Sequence, residues 1–168
     1  MCEHENPMSN QASSHFNDDV LVVYTDGACS GNPGSGGWAW AVAPGGDPRG
    51  SGGETWTTNQ RMELVAAIEA IRTMGPVARA STRQLLIVSD SNYVVNCFRD
   101  RWWVRWQANG WRNAKKEPVA NSDLWRDLIA LYQVYPEAER PDFQWVKGHS
   151  GDAMNDLVDQ LAVAESQK

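Results

Sequence analysis

Two apolar runs, VLVVYTD (20–26) and LLIVSD (85–90), each close on an aspartate, and one helical pattern, NQRMELVAAIEAIRTM (59–74), lies between them. Both runs are continuous rather than alternating, as expected of strands covered on both faces. A strand–helix–strand unit within one sheet crosses over right-handed, so the two strands run parallel. As parallel neighbours they would carry Asp26 and Asp90 to the same carboxyl edge, where open α/β sheets place their ligands.

The rest of the chain fits around that unit. Residues 37–43 alternate Trp38, Trp40 and Val42 against Ala39, Ala41 and Ala43, a period of two that reads as a strand. A GGDPRG turn (45–50) and a third strand at 52–58 complete a β-meander. The helix at 59–74 takes Thr58 or Asn59 as N-cap and is expected to stop at Gly75-Pro76. A second helix opens at SNYVVNCF under Ser91, a third covers 122–135, a short strand covers 143–147, and an amphipathic helix closes the chain at 152–166. The fold class is therefore α/β, a mixed sheet flanked by helices.

Glu63 is the most informative carboxylate. At about 100° per residue, Arg61, Glu69 and Arg72 share a solvated face, while Glu63 falls in the opposite arc with Leu64, Ala67, Ala70, Ile71 and Met74. A carboxylate facing a core costs several kcal/mol unless it is paired or holds a metal. Asp159 gives no such signal: it shares a polar face with Asp152, Asn155 and Asp156, opposite a stripe of Met154, Leu157, Leu161 and Ala164, and solvation accounts for it. His149, between glycines in VKGHSGD, reads on its own as a solvated loop histidine. The GNPGSGG loop (31–37) lacks the lysine of a Walker loop and opens no helix, so it reads as a wide turn where backbone could approach a ligand.

The formal net charge is −6 over 168 residues, which does not by itself suggest a nucleic-acid partner. Within 99–117, however, six basic residues meet only two acidic ones, interleaved with Trp102, Trp103, Trp106 and Trp111. That segment is a localised candidate binding surface. Residues 1–18 are polar, without a basic start or apolar stretch, and read as a disordered tail ahead of a domain at 19–166. Cys2, Cys29 and Cys97 have no metal-like spacing, and no run is long enough to span a membrane; a reduced, cytoplasmic setting is expected.

Five stretches, YTDGACSGNPGSGGWAW, TTNQRMELVAAIEAI, IVSDSNYVVN, GWRNAKKEPVANSDLW and WVKGHSGDAMNDLVDQLA, occur in the order and at the intervals of bacterial-type ribonuclease HI. The chain resembles that family over residues 20–164. The resemblance implies an RNase H-like fold with a five-stranded mixed sheet, three antiparallel strands followed by parallel ones. It also implies an endonuclease that cuts the RNA strand of an RNA–DNA hybrid without sequence preference, leaving 5′-phosphate and 3′-hydroxyl ends. Its four catalytic carboxylates match Asp26, Glu63, Asp90 and Asp159, which would hold two Mg²⁺ ions about 4 Å apart, with Mn²⁺ as a substitute. His149 matches the catalytic-loop histidine. Gly27, Gly31, Asn32, Asn59, Gln60 and Asn92 fall where relatives meet the substrate backbone and sugars. The basic handle matches 102–118, within a segment at about 99–118, with Trp102, Trp106, Trp111, Arg112, Lys115 and Lys116 as its contacts. Trp102 and Trp106 are also expected to anchor the handle by packing.

Two departures stand out. Between Trp106 and Trp111 the chain reads QANG, where well-known bacterial members are strongly basic, and Asp156 stands where relatives often carry Glu. Competing readings are a non-catalytic hybrid-binding module and another nuclease of the RNase H-like superfamily. A monomer without an obligate protein partner is the default expectation.

Overall fold

A computed structural model describes residues 18–168, so the reading of residues 1–17 as tail lies outside the described residues. The elements run β1 (Val20–Ser30), β2 (Gly34–Val42), β3 (Arg49–Thr57), α1 (Asn59–Ala80), β4 (Gln84–Ser89), α2 (Asn92–Arg99), α3 (Trp102–Asn109), α4 (Ser122–Gln133), a 3₁₀ turn, β5 (Asp142–Trp145) and α5 (Ala153–Ser166). They form one five-stranded sheet in the order β3-β2-β1-β4-β5. β1, β2 and β3 pair antiparallel, whereas β1 with β4 and β4 with β5 pair parallel. The strand–helix–strand unit therefore closes as its sequence requires. Among the described residues, no helix is long and apolar enough to cross a membrane.

Two cores cover the two sheet faces. The larger gathers Val23, Trp40, Leu64, Ile71, Ile87, Trp125, Leu128 and Ile129 between the sheet and helices α1, α2 and α4. The smaller sets Ala39 and Ala41 of β2 against Val158 and Ala162 of α5. Here the sequence-based stripe is off by one residue: the buried side of α5 is Asn155, Val158, Ala162 and Ser166, with Ala164 exposed. The reason is close approach. α5 lies so near β2 that a Cβ at Gly37 would stand 2.1 Å from the Ala162 carbonyl oxygen. Only small residues fit that seam, and Met154, Leu157 and Leu161 pack at its sides, half-buried.

Gly37→Ala should push α5 off the sheet and cost about 3 kcal/mol. The check is the urea midpoint at unchanged slope, and a midpoint equal to that of the parent would contradict the packing.

Two element ends also differ from expectation. α1 continues through Gly75-Pro76 to Ala80. Proline removes one backbone donor, but Ala78 in the following turn is buried in the large core, and that packing keeps the helix going. β1 does not end at Asp26: Gly27 to Ser30 pair with Trp38 to Ser35. The supposed wide glycine loop is thus mostly ladder, leaving a tight turn at Gly31, Asn32 and Pro33.

Candidate active site

Three carboxylates converge at the edge that the parallel pair creates. Ligand oxygens of Asp26, Glu63 and Asp90 all lie within 4.8 Å of one another. Asp26 sits within β1, paired with Ala39 of β2 and one residue past the end of the β4 ladder at Thr25. Asp90 follows the last residue of β4, and Glu63 projects from the first turns of α1. Thr58 caps that helix by accepting the Arg61 N–H. Gly27 lets α1 descend onto β1, since a Cβ there would lie 2.4 Å from the Glu63 backbone nitrogen.

Asp159 joins them from α5. It lines a cleft of about 420 Å³ together with Asp26, Gly27, Asn59, Gln60, Glu63, Asp90 and His149. The solvated-face reading of Asp159 from spacing alone is therefore corrected. The close seating of α5 turns its polar side toward the cleft rather than toward open water. His149 is exposed, with a left-handed φ of 54°, in the connection between β5 and α5.

Burial and mutual repulsion shape the electrostatics. Asp26 is 3 % exposed, and its carboxyl is pushed up to about 8, first by desolvation and then by the charge of Asp90, with Asp159 adding to the effect. A hydrogen bond with Glu63 and the Gly27 N–H (2.9 Å) oppose this. Glu63 is held well above the usual carboxylate range, again first by burial and then by Asp26. Its Oε2 is buried and has no hydrogen-bond partner. Buried, mutually repelling oxygens with an unfilled acceptor are the coordination set of a hard divalent cation such as Mg²⁺, which takes oxygen ligands. The residues fit that ion.

The remaining sequence-predicted residues fall in two places. Asn32 accepts the Asn59 N–H (2.9 Å), tying the β1–β2 turn with Gly31 to the start of α1, where Asn59 and Gln60 border the cleft. Asn92 is exposed at the first position of α2. The handle residues do not line that cleft. Trp102 faces Trp106 (6.1 Å between ring centroids), and Trp106 packs on Trp111 (5.8 Å) and Trp125 (5.3 Å). Arg126 stands over the Trp111 ring. These rings pack against the large core, while Arg112, Lys115 and Lys116 are exposed.

Asn155 is the neighbour that sequence reasoning missed. It is 2 % exposed, and its Nδ2 donates to Asp90 Oδ2 at 3.4 Å. Its signal was an amide inside the buried stripe of α5, hidden because the stripe was misplaced.

The fold and cleft define a class: an α/β domain whose central parallel strands carry a carboxylate site for divalent cations. The RNase H family profile matches residues 18–167. The chain is 48 % identical over 143 residues to the Ribonuclease H of Syntrophomonas wolfei, covering 84 % of this chain and 92 % of that one. It is 49 % identical over 148 residues to the Ribonuclease H of Moorella thermoacetica, covering 86 % and 90 %. Among solved structures, LC9-RNase H1, described as a type 1 RNase H with the type 2 active-site motif, superposes with a TM-score of 0.71 at 29 % identity, covering 89 % of this chain and 72 % of that one. The chain belongs to the RNase H family and is an enzyme of it.

Proposed function

We propose that this chain hydrolyses the RNA strand of RNA–DNA hybrids at the carboxylate cleft, without sequence preference, leaving 5′-phosphate and 3′-hydroxyl ends. Asp26, Glu63, Asp90 and Asp159 would hold two Mg²⁺ ions, with Mn²⁺ able to substitute. Bound there, such ions supply an activated water and neutralise charge on the phosphate. The observation that carries this reading is the convergence of three carboxylates within 4.8 Å, one of them with an unpartnered buried oxygen.

The chain's own residues have distinct tasks in this scheme. Asp26 is fixed by its pairing with β2 directly beyond the β4 ladder, so its oxygen is positioned before substrate arrives. Glu63 and Asp90 complete the floor, and Asp159 closes the α5 side. His149, exposed on its glycine-flanked loop at the cleft, is placed to move a proton or to help product depart. Asn59 and Gln60 at the cleft, with Gly31 and Asn32 in the adjoining turn and Asn92 two residues past Asp90, offer partners for 2′-hydroxyls. Contacts to sugars and phosphates position the duplex without reading its sequence. Hybrids in R-loops and RNA primers at replication sites are the proposed substrates.

End-labelled RNA–DNA hybrid, double-stranded RNA and double-stranded DNA, each incubated with Mg²⁺, test the reading. Cleavage confined to the RNA strand of the hybrid, and abolished by EDTA, is the expected result. Hybrid binding without cleavage would instead favour a non-catalytic module, and cutting of double-stranded DNA a different nuclease.

The handle contributes electrostatics. Lys115 and Lys116 are exposed and neutralise phosphates in this reading. Alanine at each should therefore lower the slope of log affinity against log salt by about one for every lysine replaced. With QANG between Trp106 and Trp111, the parent slope should already be shallower than that of strongly basic relatives. Equal slopes in a side-by-side titration would contradict this.

A further inference from the structure

Two kinds of contact hold α5 on the sheet. Its middle lies on the seam of Ala39 and Ala41 against Val158 and Ala162. Burial of small apolar groups is non-directional, so this seam sets how near the helix lies but not its slide along the sheet. Among the described residues, two polar ties outside the cleft supply direction. Toward the C-terminus of α5, Ser51 donates to Glu165 Oε1 at 3.0 Å, exposed to water. At the N-terminus the Tyr24 hydroxyl of β1 donates to Asp152 Oδ2 at 2.9 Å, part-buried and across 128 residues of chain. The other oxygen of that carboxylate caps the helix, accepting the Met154 N–H at 3.0 Å and the Asn155 N–H at 3.1 Å. One side chain therefore joins the start of α5 to the strand that carries Asp26.

Resting on the metal-holding, hybrid-cleaving reading above, we infer that Tyr24 is a positioning residue: through Asp152 its hydroxyl fixes the register of α5 on β1 and so keeps Asp159 and Asn155 at the carboxylates. Tyr24, Asp26 and Ala28 alternate onto one face of β1, and Tyr24 and Ala28 pack on the smaller core under α5. Asp26 thus stands between two residues that α5 covers. On α5, Asn155 and Asp159 follow Asp152 by three and seven residues, about one and two turns along the same side. A slip or roll of the helix at Asp152 is therefore carried directly to both. Asn155 would lose its 3.4 Å contact with Asp90 Oδ2, and Asp159 would swing away from the cleft. Asp152 also ends the connection that bears His149, so the same tie anchors that loop. Neither Tyr24 nor Asp152 lines the cleft, so their action runs through α5.

Calorimetric titration of the full chain with Mg²⁺, in the absence of nucleic acid, tests the tie. Tyr24→Phe keeps the ring and removes only the hydroxyl; it should weaken Mg²⁺ binding about fivefold, the equivalent of ~1 kcal/mol, and leave the circular dichroism spectrum intact. Asp152→Ser keeps a favoured helix cap, but its single, shorter oxygen gives up Tyr24, and the loss should match. The double variant should also lose about fivefold rather than about twenty-fivefold, because both changes break one contact. In hybrid cleavage, the half-saturating Mg²⁺ concentration should rise by the same factor, while KM for the hybrid and kcat at saturating Mg²⁺ stay within about twofold. A folded Tyr24→Phe protein with the parent's Mg²⁺ affinity overturns the inference, even if its melting temperature falls, and so do losses that add in the double variant. A parent that binds Mg²⁺ but leaves the hybrid uncut overturns the hybrid-cleaving reading alone, and the titration still scores the tie. A parent that binds no Mg²⁺ overturns both.

Discussion

Asp90→Asn is expected to slow single-turnover cleavage of an RNA–DNA hybrid by at least about a thousandfold, the equivalent of ~4 kcal/mol of transition-state stabilisation. The substitution is isosteric and removes one negative charge from a cluster whose members lie within 4.8 Å of one another. Asp90 is only half-buried and follows β4 rather than lying within it, so the fold should tolerate the amide. The contact from Asn155 Nδ2 falls on Oδ2 and needs only an acceptor, which the amide oxygen can still supply. Hybrid affinity should therefore stay within about threefold while the chemical step fails, since binding rests on contacts outside the cluster. The check is quench-flow cleavage of end-labelled hybrid beside equilibrium binding. A residual rate within about tenfold of the parent would remove Asp90 from the catalytic set.

Glu63→Gln should abolish cleavage and, in the metal-free protein at pH 8, raise the melting temperature. Asp26 titrates near 8 in the fold against an ordinary 3.8, and Glu63 is raised well above its ordinary value, both first by burial. Groups raised in this direction bind protons more tightly in the folded than in the unfolded chain. Their contribution to stability is complete below about 4 and is lost progressively as pH climbs toward 8. At pH 8 the metal-free cleft therefore carries unrelieved repulsion, and replacing Glu63 with a neutral amide of the same shape relieves part of it. A gain of ~2 kcal/mol corresponds to a rise of about 4–8 °C for a domain of this size. Near pH 4.5 the difference between the two proteins should vanish. Saturating Mg²⁺ should favour the parent instead, because a ligand that binds only the folded state stabilises it by mass action. Calorimetry at the two pH values, with EDTA and with Mg²⁺, measures all four cases. A variant no more stable than the parent at pH 8 in EDTA would show that the repulsion is already relieved without a cation.

Much of this site could be read from local pattern. The parallel pairing of β1 with β4 follows from two apolar runs joined by one helix, so the shared edge of Asp26 and Asp90 was legible. Glu63 was legible because a helix wheel fixes facing without knowledge of what the face meets, and it is indeed 5 % exposed. Pattern failed where the answer depended on a neighbouring element. The buried stripe of α5 was displaced because large side chains usually mark the core. Here the seam against β2 is too narrow for them and selects Val158 and Ala162. That one misplacement hid Asn155 and left Asp159 looking solvated. The tryptophans of the basic segment likewise pack largely on one another and on the core, which their charge-rich surroundings did not signal.

By itself, then, the sequence determined the α/β class, the parallel centre of the sheet and the inward turn of Glu63, because strand continuity, crossover handedness and helical period act within a few dozen residues. The tertiary structure alone decided that α5 lies flush on β2, bringing Asp159 to the cleft and Asn155 onto Asp90, each more than sixty residues from Asp90 in the chain. Close packing between distant segments sets those positions, and no periodicity within either segment encodes the distance between them.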